Sequence, residues 1–233
     1  MPSPAVYRSP RTSAVAATVL LAVSGAEALA SLGTAFRLYG QVGDIAEDTE
    51  LVDQSSLMDT AHLYDSISVL QLVTLIATAA AFVTWFHRVR VNAEAFDPHG
   101  HRFRRGWAIG GWVTPVVALW FPRQIAGDIW QASTRPDASG VRLPAPQILI
   151  NLWWAAFLLS NALDRLGSRF LNSARYPDSY QQAVGWLIAA AVTEVAGAVL
   201  AVLLVRRLTA MQEELFAEAA GRAFGAQGTA VRG

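Results

Sequence analysis

Long apolar stretches constrain this chain more than any other feature of its sequence. Four runs have about the 20 residues with which a helix crosses the hydrocarbon core of a bilayer, and they predict crossings at about residues 12–39, 62–87, 147–166 and 180–205. The chain is 53% hydrophobic and 15% charged, whereas about 25% of the residues in soluble domains are charged. The sequence therefore predicts an all-α fold, a polytopic membrane helical bundle with four transmembrane helices.

A fifth apolar run, residues 106–121, is interrupted by Gly110, Gly111 and Pro115. Its 16 residues would extend about 24 Å as a helix, which is less than the roughly 30 Å of a hydrocarbon core. If this run spans, ten arginines are cytoplasmic and eight are outside; if it does not, the division is 14 to four. The second division is the one that the positive-inside rule favours. We therefore expect a Trp/Pro-rich re-entrant or interfacial cytoplasmic element that packs against the helices.

The same count predicts that both termini are cytoplasmic. Residues 1–207 would form the integral membrane helical domain, and residues 208–233 an amphipathic cytoplasmic tail that lies on the membrane or binds a partner. The first run also has the pattern of a cleaved signal peptide, because Arg8 and Arg11 precede its apolar core and residues 28–30 are Ala-Leu-Ala. Apolar character continues beyond that point, which favours a helix that is retained.

Two carboxylates, Glu27 and Glu194, fall near the middle of the first and last predicted crossings. An ionised carboxylate at that depth costs at least a few kcal/mol unless it is protonated, paired or hydrated. Small residues in both segments favour close helix packing, so the two acids are expected to meet. They would form a proton or cation site, or each would hydrogen-bond a neighbouring helix, with Ser24, Ser31 and Thr193 as nearby hydroxyl groups.

Arginines cluster around the turn that follows the second crossing. Such a cluster beside a membrane helix favours the cytoplasmic side and anionic headgroups. In the element that comes next, Trp112, Val116 and Trp120 have the spacing of one helical face. The residues predicted to bind a lipid headgroup or a partner are Arg88, Arg90, Arg102, Arg104, Arg105, Trp112, Pro115, Pro122 and Trp130.

Several classes of function have no support in the sequence. The chain has no cysteine, so thiol catalysis and cysteine-ligated metals are excluded. Its net charge is zero, which argues against nucleic-acid binding. No zinc-protease helix, nucleophile elbow or phosphate-binding loop is present. We expect a non-enzymatic membrane component without a cofactor or metal, which binds lipids with anionic headgroups or a partner, either another protein or a second copy of itself. The alternative is a small transporter or ion-conducting protein that uses Glu27 and Glu194.

A set of polar, tryptophan and proline residues resembles a known family. The set consists of Asn92 after the Arg-rich helix end, Gly111-Trp112-x-x-Pro115, Pro122, Asp-Ile-Trp-Gln-Ala-Ser at residues 128–133, Trp153-Trp154 and Ser160-Asn161. These residues are similar to those of the bacterial membrane family catalogued as domain of unknown function 4328, over roughly residues 66–207. The resemblance implies a bacterial integral membrane protein of several helices, which we place in the cytoplasmic membrane, and it specifies no activity. The family often has Asn where this chain has Ala118.

Overall fold

A computed structural model describes residues 6–47 and 54–230, and within these residues all regular secondary structure is helical. The all-α prediction is confirmed for this part of the chain. A short 3-10 helix, Val117–Leu119, lies between the third and fourth α-helices. The α-helices are α1 (Arg11–Glu47), α2 (Gln54–Phe96), α3 (Trp107–Val113), α4 (Phe121–Ala132), α5 (Ile148–Ser173) and α6 (Pro177–Ala230).

Three of the described helices are long and apolar enough to cross a membrane, whereas the sequence predicted four. The three segments are Arg11–Asp44 in α1, Ser55–Phe96 in α2 and Pro177–Arg222 in α6. The exception is α5, which corresponds to the crossing predicted at residues 147–166. Asn161, Asp164 and two arginines interrupt its apolar sequence, so its composition alone does not mark it as a membrane span.

The chain forms two compact units. Unit 1 consists of Met1–Thr18, Ala80–Asn151 and Leu203–Gly233, and unit 2 consists of Val19–Ala79 and Leu152–Val202. Unit 2 therefore contains most of α1 and α5 together with the first parts of α2 and α6. Unit 1 contains α3 and α4, the first turns of α1 and α5, and the last parts of α2 and α6.

In unit 2, α1 and α6 pack closely and run antiparallel. A Cβ atom placed on Gly25 would lie 3.4 Å from the Cβ of Ala198, and one placed on Gly185 would lie 3.8 Å from the ring of Tyr39. The numbering rises along one helix as it falls along the other, which defines the antiparallel direction. Small side chains permit this approach because they let two helix backbones come together in lipid.

Helix α5 also runs antiparallel to α6 in unit 2. A Cβ atom placed on Gly197 would lie 3.7 Å from the Cβ of Ala156. Further along, the rings of Phe170 and Trp186 stack with their centroids 6.4 Å apart. The 14 residues from Ala156 to Phe170 correspond to roughly 21 Å of helix, so α5 accompanies α6 over most of the thickness of a hydrocarbon core.

Unit 1 is organised around α4. This helix buries Ile125, Ala126, Ile129 and Ala132, which have the spacing of a single helical face, and Pro122 occupies its first turn, where a missing N–H group has little cost.

The end of α6 also contributes to the core of unit 1. Leu208, Gln212 and Leu215 are buried there. The boundary predicted after residue 207 therefore falls inside α6, and the first two turns beyond it are part of a packed unit.

The Trp/Pro-rich element is a bent pair of short helices. Helix α3 has seven residues, or about 10 Å, and therefore does not span a bilayer as a single helix. It returns onto α4, because a Cβ atom on Gly111 would lie 3.3 Å from the Cβ of Phe121. The element also packs against α2, because the ring of Trp112 contacts those of Phe82 and Phe86, as its broken backbone led us to expect.

The turn between α3 and α4 contains a strained residue. Val116 has φ 69° and ψ −59°, and the N–H of Val117 donates to the carbonyl of Pro115 across it at 2.8 Å. This is a γ-turn with positive φ, which is rare and unfavourable for a β-branched residue. Because the helix is broken here, the prediction that Trp112, Val116 and Trp120 share one helical face is wrong.

We predict that Gly167→Ala destabilises the protein. A Cβ atom at this position would lie 2.8 Å from Cδ2 and 3.2 Å from the backbone N of Leu187, and such overpacking costs about 1–3 kcal/mol. At Gly33 a Cβ atom would have no atom within 4 Å, so Gly33→Ala should be neutral or stabilising because alanine favours helix. Thermal unfolding of both variants in detergent measures the difference. Equal midpoints would contradict the packing of α5 on α6.

Candidate functional site

Asp128 of α4 binds the segment that follows α2. Its Oδ2 accepts from the backbone N–H of Arg102 at 3.0 Å, and its Oδ1 accepts from Nε of Arg102 at 2.9 Å. A second guanidinium nitrogen lies 2.8 Å from the same oxygen. Asp128 is buried whereas the Arg102 side chain is partly exposed. Both oxygens of the buried carboxylate are therefore bonded to Arg102, one to two guanidinium nitrogens and the other to the backbone N–H, and charge-assisted hydrogen bonds of this kind are stronger than neutral ones.

Gln131 and Arg123 bind the segment that leads into α5. The amide Nε2 of Gln131 donates to the carbonyl of Leu143 at 2.8 Å, and its Oε1 accepts from the N–H of Ala145 at 3.1 Å. Arg123 donates to Oδ1 of Asn151 at 2.6 Å. One face of α4 therefore fixes the start of α5 through side-chain hydrogen bonds.

Ser133, at the end of α4, belongs to a buried amide network. Gln212 of α6 donates from Nε2 to the carbonyl of Val89 at 2.9 Å and to Oγ of Ser133 at 3.2 Å. Its Oε1 accepts from Nδ2 of Asn92 at 3.1 Å. Asn92 and Gln212 are completely buried. The network connects α2, α4 and α6, and every amide atom in it has a partner.

The same network holds the N-terminal segment. Asn92 accepts from the N–H of Arg8 at 3.1 Å and donates to its carbonyl at 2.9 Å. The ring of Tyr7 stacks on Phe216, with centroids 4.1 Å apart, and its hydroxyl donates to Glu213 at 3.2 Å. Burial and the nearby Glu213 carboxylate raise the pKa of Tyr7 to about 12. The segment before α1 is therefore docked on α2 and α6.

Three of the five clustered arginines form ion pairs within unit 1. Besides Arg102, Arg90 donates to Glu94 at 3.0 Å and to the carbonyl of Phe103 at 2.7 Å, although it is only 3% exposed. Arg105 donates to both oxygens of Glu94 at 2.9 and 3.0 Å, and this carboxylate raises the pKa of Arg105. The sequence predicted a basic surface. In the structure, three of the five arginines instead form ion pairs that stabilise the turn after α2.

Arg104 remains available for a ligand. Its guanidinium has no ion-pair partner among the described residues, and it lines an open cleft of ≈ 440 Å³. Trp107 and Thr114 line the same cleft, together with Gly106 and Gly110. The cleft combines one cation with an aromatic side chain and a hydroxyl group, a set that suits an anion attached to an apolar body.

The other predicted site residues are distributed over unit 1. Trp112 is half-buried and meets Phe82 and Phe86 in edge-on contacts, with centroids 5.6 and 5.8 Å apart. Pro122 is buried. The remaining three residues are Arg88 and Trp130, which are half-buried, and Pro115, which is exposed. Only Arg104 of the predicted set lines the cleft, so the structure does not gather the nine residues into one site.

The buried carboxylate of unit 2 has a hydroxyl partner on α2. Glu27 is 8% exposed, and its Oε1 accepts from Oγ1 of Thr74 at 2.8 Å. One turn away, the hydroxyl groups of Ser24 and Thr78 hydrogen-bond at 3.1 Å. The sequence indicated a hydroxyl partner but not Thr74, because the register between α1 and α2 is not visible in the sequence.

Glu194 has a different environment from Glu27. Its side chain is on the surface of unit 2, close enough to Asp164 and Glu27 for their charges to interact. The adjacent Thr193 donates to carbonyls of its own helix and so is not the partner that the sequence proposed. Within the described residues no hydrogen bond joins the two glutamates, and their shared site stays a prediction.

His101 is a further buried titratable group that the site prediction did not include. Burial lowers its pKa, and the nearby Arg90 lowers it further. The carbonyl of Ala93 and two acidic residues oppose this shift. Among the described residues, no group of three or more His, Asp or Glu side chains is placed to hold a metal ion.

The polar and aromatic residues of α4 and its neighbours also identify the family. The family model described as "Domain of unknown function (DUF4328)" matches residues 48–210. The chain belongs to this family. The resemblance seen in the sequence is thereby confirmed, and the match includes α3, α4 and α5. Glu27 lies before the matched residues. Comparison with curated proteins and with solved structures gives no match.

We predict that Asn92→Ala destabilises the protein by about 1–3 kcal/mol, because it removes both hydrogen bonds to the backbone of Arg8 and leaves the buried amide oxygen of Gln212 without its Asn92 partner. Asn161→Ala is the matched control, since Asn161 is exposed and its amide donates to a carbonyl of its own helix. Thermal unfolding in detergent, followed by tryptophan fluorescence, gives the comparison. Two variants of equal stability would show that the amide network does not hold unit 1 together.

Proposed function

We propose that the chain is a non-enzymatic, multi-pass membrane protein with four crossings, and that it binds anionic lipid headgroups on the cytoplasmic side. Three crossings are the apolar segments of α1, α2 and α6. The fourth is α5, and its antiparallel packing along α6 for roughly 21 Å supports this assignment.

The grouping of helix ends supports an even number of crossings. The start of α1, the end of α2, the start of α5 and the end of α6 all belong to unit 1. Four crossings bring these ends to one side of the membrane. The short α3 and α4 connect α2 to α5 on that side without a further crossing.

The distribution of arginine supports a cytoplasmic position for that side. Four of the 18 basic residues, all of them arginine, fall in unit 2, and the other 14 fall within the ranges of unit 1. Short cytoplasmic segments are enriched in arginine. In this proposal both termini are therefore cytoplasmic, and the membrane is the cytoplasmic membrane of a bacterium.

The cleft at Arg104 is the observation on which lipid binding rests. The guanidinium suits a phosphate headgroup because it donates in a planar fork. Around it, the turn between α3 and α4 exposes apolar side chains, and tryptophan favours the depth of the headgroups. The exposed large apolar residues of this element are Trp107, Ile109, Val113, Val116, Leu119 and Trp120.

The test compares the binding of phosphatidylglycerol and phosphatidylcholine by native mass spectrometry. Arg104→Gln should weaken phosphatidylglycerol binding about fivefold, because one arginine near an anionic surface contributes about 1 kcal/mol. Arg37→Gln, which removes an exposed arginine of unit 2, should leave binding unchanged. Equal effects of the two changes, or equal affinity of the wild-type protein for both lipids, would contradict the proposal.

A further inference from the structure

We propose that unit 2 contains a binding site for a small monovalent cation of the size of Na⁺, centred on Glu27 between α1 and α2. The inference is independent of lipid binding in unit 1. It rests on two observations. Oxygen atoms of α1 and α2 face each other, and two of the buried oxygens have no hydrogen-bond partner among the described residues.

The two helices bring a row of oxygen atoms together. Ser24, Glu27 and Ser31 share one face of α1 because they are three and four residues apart. Thr74 and Thr78 share one face of α2 for the same reason. The bonds Ser24–Thr78 and Glu27–Thr74, at 3.1 and 2.8 Å, fix an antiparallel register.

Two buried atoms in this row have no hydrogen-bond partner. They are Oε2 of Glu27 and Oγ of Ser31, in side chains that are 8% and 6% exposed. Buried polar atoms of this kind are rare, because each loses its bonds to water without replacement. The antiparallel register also places Gln71, which is half-buried, level with Ser31. An amide oxygen is therefore available at the same height in the membrane.

Charge selects the type of ion. One carboxylate balances one positive charge, and an unbalanced charge at this depth is costly. A divalent ion would retain an excess positive charge, so a monovalent cation fits. The oxygens are hydroxyl and carboxylate groups, which hard cations prefer. Because pairs of them are already in hydrogen-bond contact, the space between the helices suits a small ion rather than a large one.

The titratable groups around the site have to be held constant in any test. On α6, Glu194 interacts electrostatically with Glu27 and with Asp164 of α5. On α2, Tyr64 is near Asp164 and Glu194. A fixed pH therefore separates the effect of the cation from proton uptake by these groups.

The experiment measures the thermal unfolding midpoint of the full chain in detergent at fixed pH and ionic strength. Titration with NaCl against choline chloride should raise the midpoint of the wild-type protein saturably, because a ligand that binds only the folded state stabilises it. KCl should have a smaller effect at equal concentration. Glu27→Gln should abolish the sodium-dependent rise, and the control Asp59→Asn, which neutralises an exposed carboxylate of α2, should retain it.

A second variant keeps the test decisive if Glu27→Gln does not fold. Ser31→Ala removes one proposed ligand and keeps the carboxylate, so it should shift the sodium titration to higher concentrations at least severalfold. The proposal is overturned if sodium and choline act equally or if potassium acts as strongly as sodium. It is also overturned if Ser31→Ala titrates as the wild type does, or if the midpoint depends on pH but not on sodium.

Discussion

Helix α6 is the element on which the rest of the structure depends. In unit 2, Ala198 and Gly197 let α1 and α5 approach it closely. In unit 1, Gln212 of the same helix bonds to α2 and α4. A helix satisfies its own backbone hydrogen bonds and so can cross lipid, but it does not select its neighbours. That selection comes from small side chains where the helix is apolar and from a buried amide where it enters unit 1.

The polar residues on which the resemblance to the family rests are largely structural in this chain. Asp128, Gln131 and Ser133 of α4 each bind a different segment of unit 1, and Asn92 binds the N-terminal segment. Polar groups that are bonded in this way have little capacity left for a substrate. In this chain these residues therefore join short helices and turns, and the ligand-binding positions have to be sought where polar atoms remain available.

The sequence predicted most of the helices, because an apolar run long enough to cross a membrane is typical of a transmembrane helix. It was less informative for α5, because Asn161, Asp164 and two arginines interrupt the apolar sequence of this helix and its packing along α6 is not visible in the sequence. The break at Pro115 was foreseen as an interruption, but the γ-turn at Val116 was not, because periodicity does not encode turn geometry.

The partners of charged residues were the least predictable feature. The cluster around Arg102 and Arg105 indicated a basic surface. The carboxylate that binds Arg102 is in α4, however, and the one that binds Arg105 is in α2. Thr74 was not foreseen as the partner of Glu27 for a related reason. Contacts between distant segments depend on how the two segments are aligned, and the sequence of one segment alone does not show that alignment.

Accessibility of single cysteines tests the four-crossing topology most directly, because the chain has no cysteine of its own. Ser139→Cys lies between α4 and α5, and Ser173→Cys lies at the end of α5; both positions are exposed. We predict that a membrane-impermeant maleimide labels Ser173→Cys in intact cells and labels Ser139→Cys only after permeabilisation. Equal labelling of both variants in intact cells would contradict a crossing by α5 and with it the proposed topology.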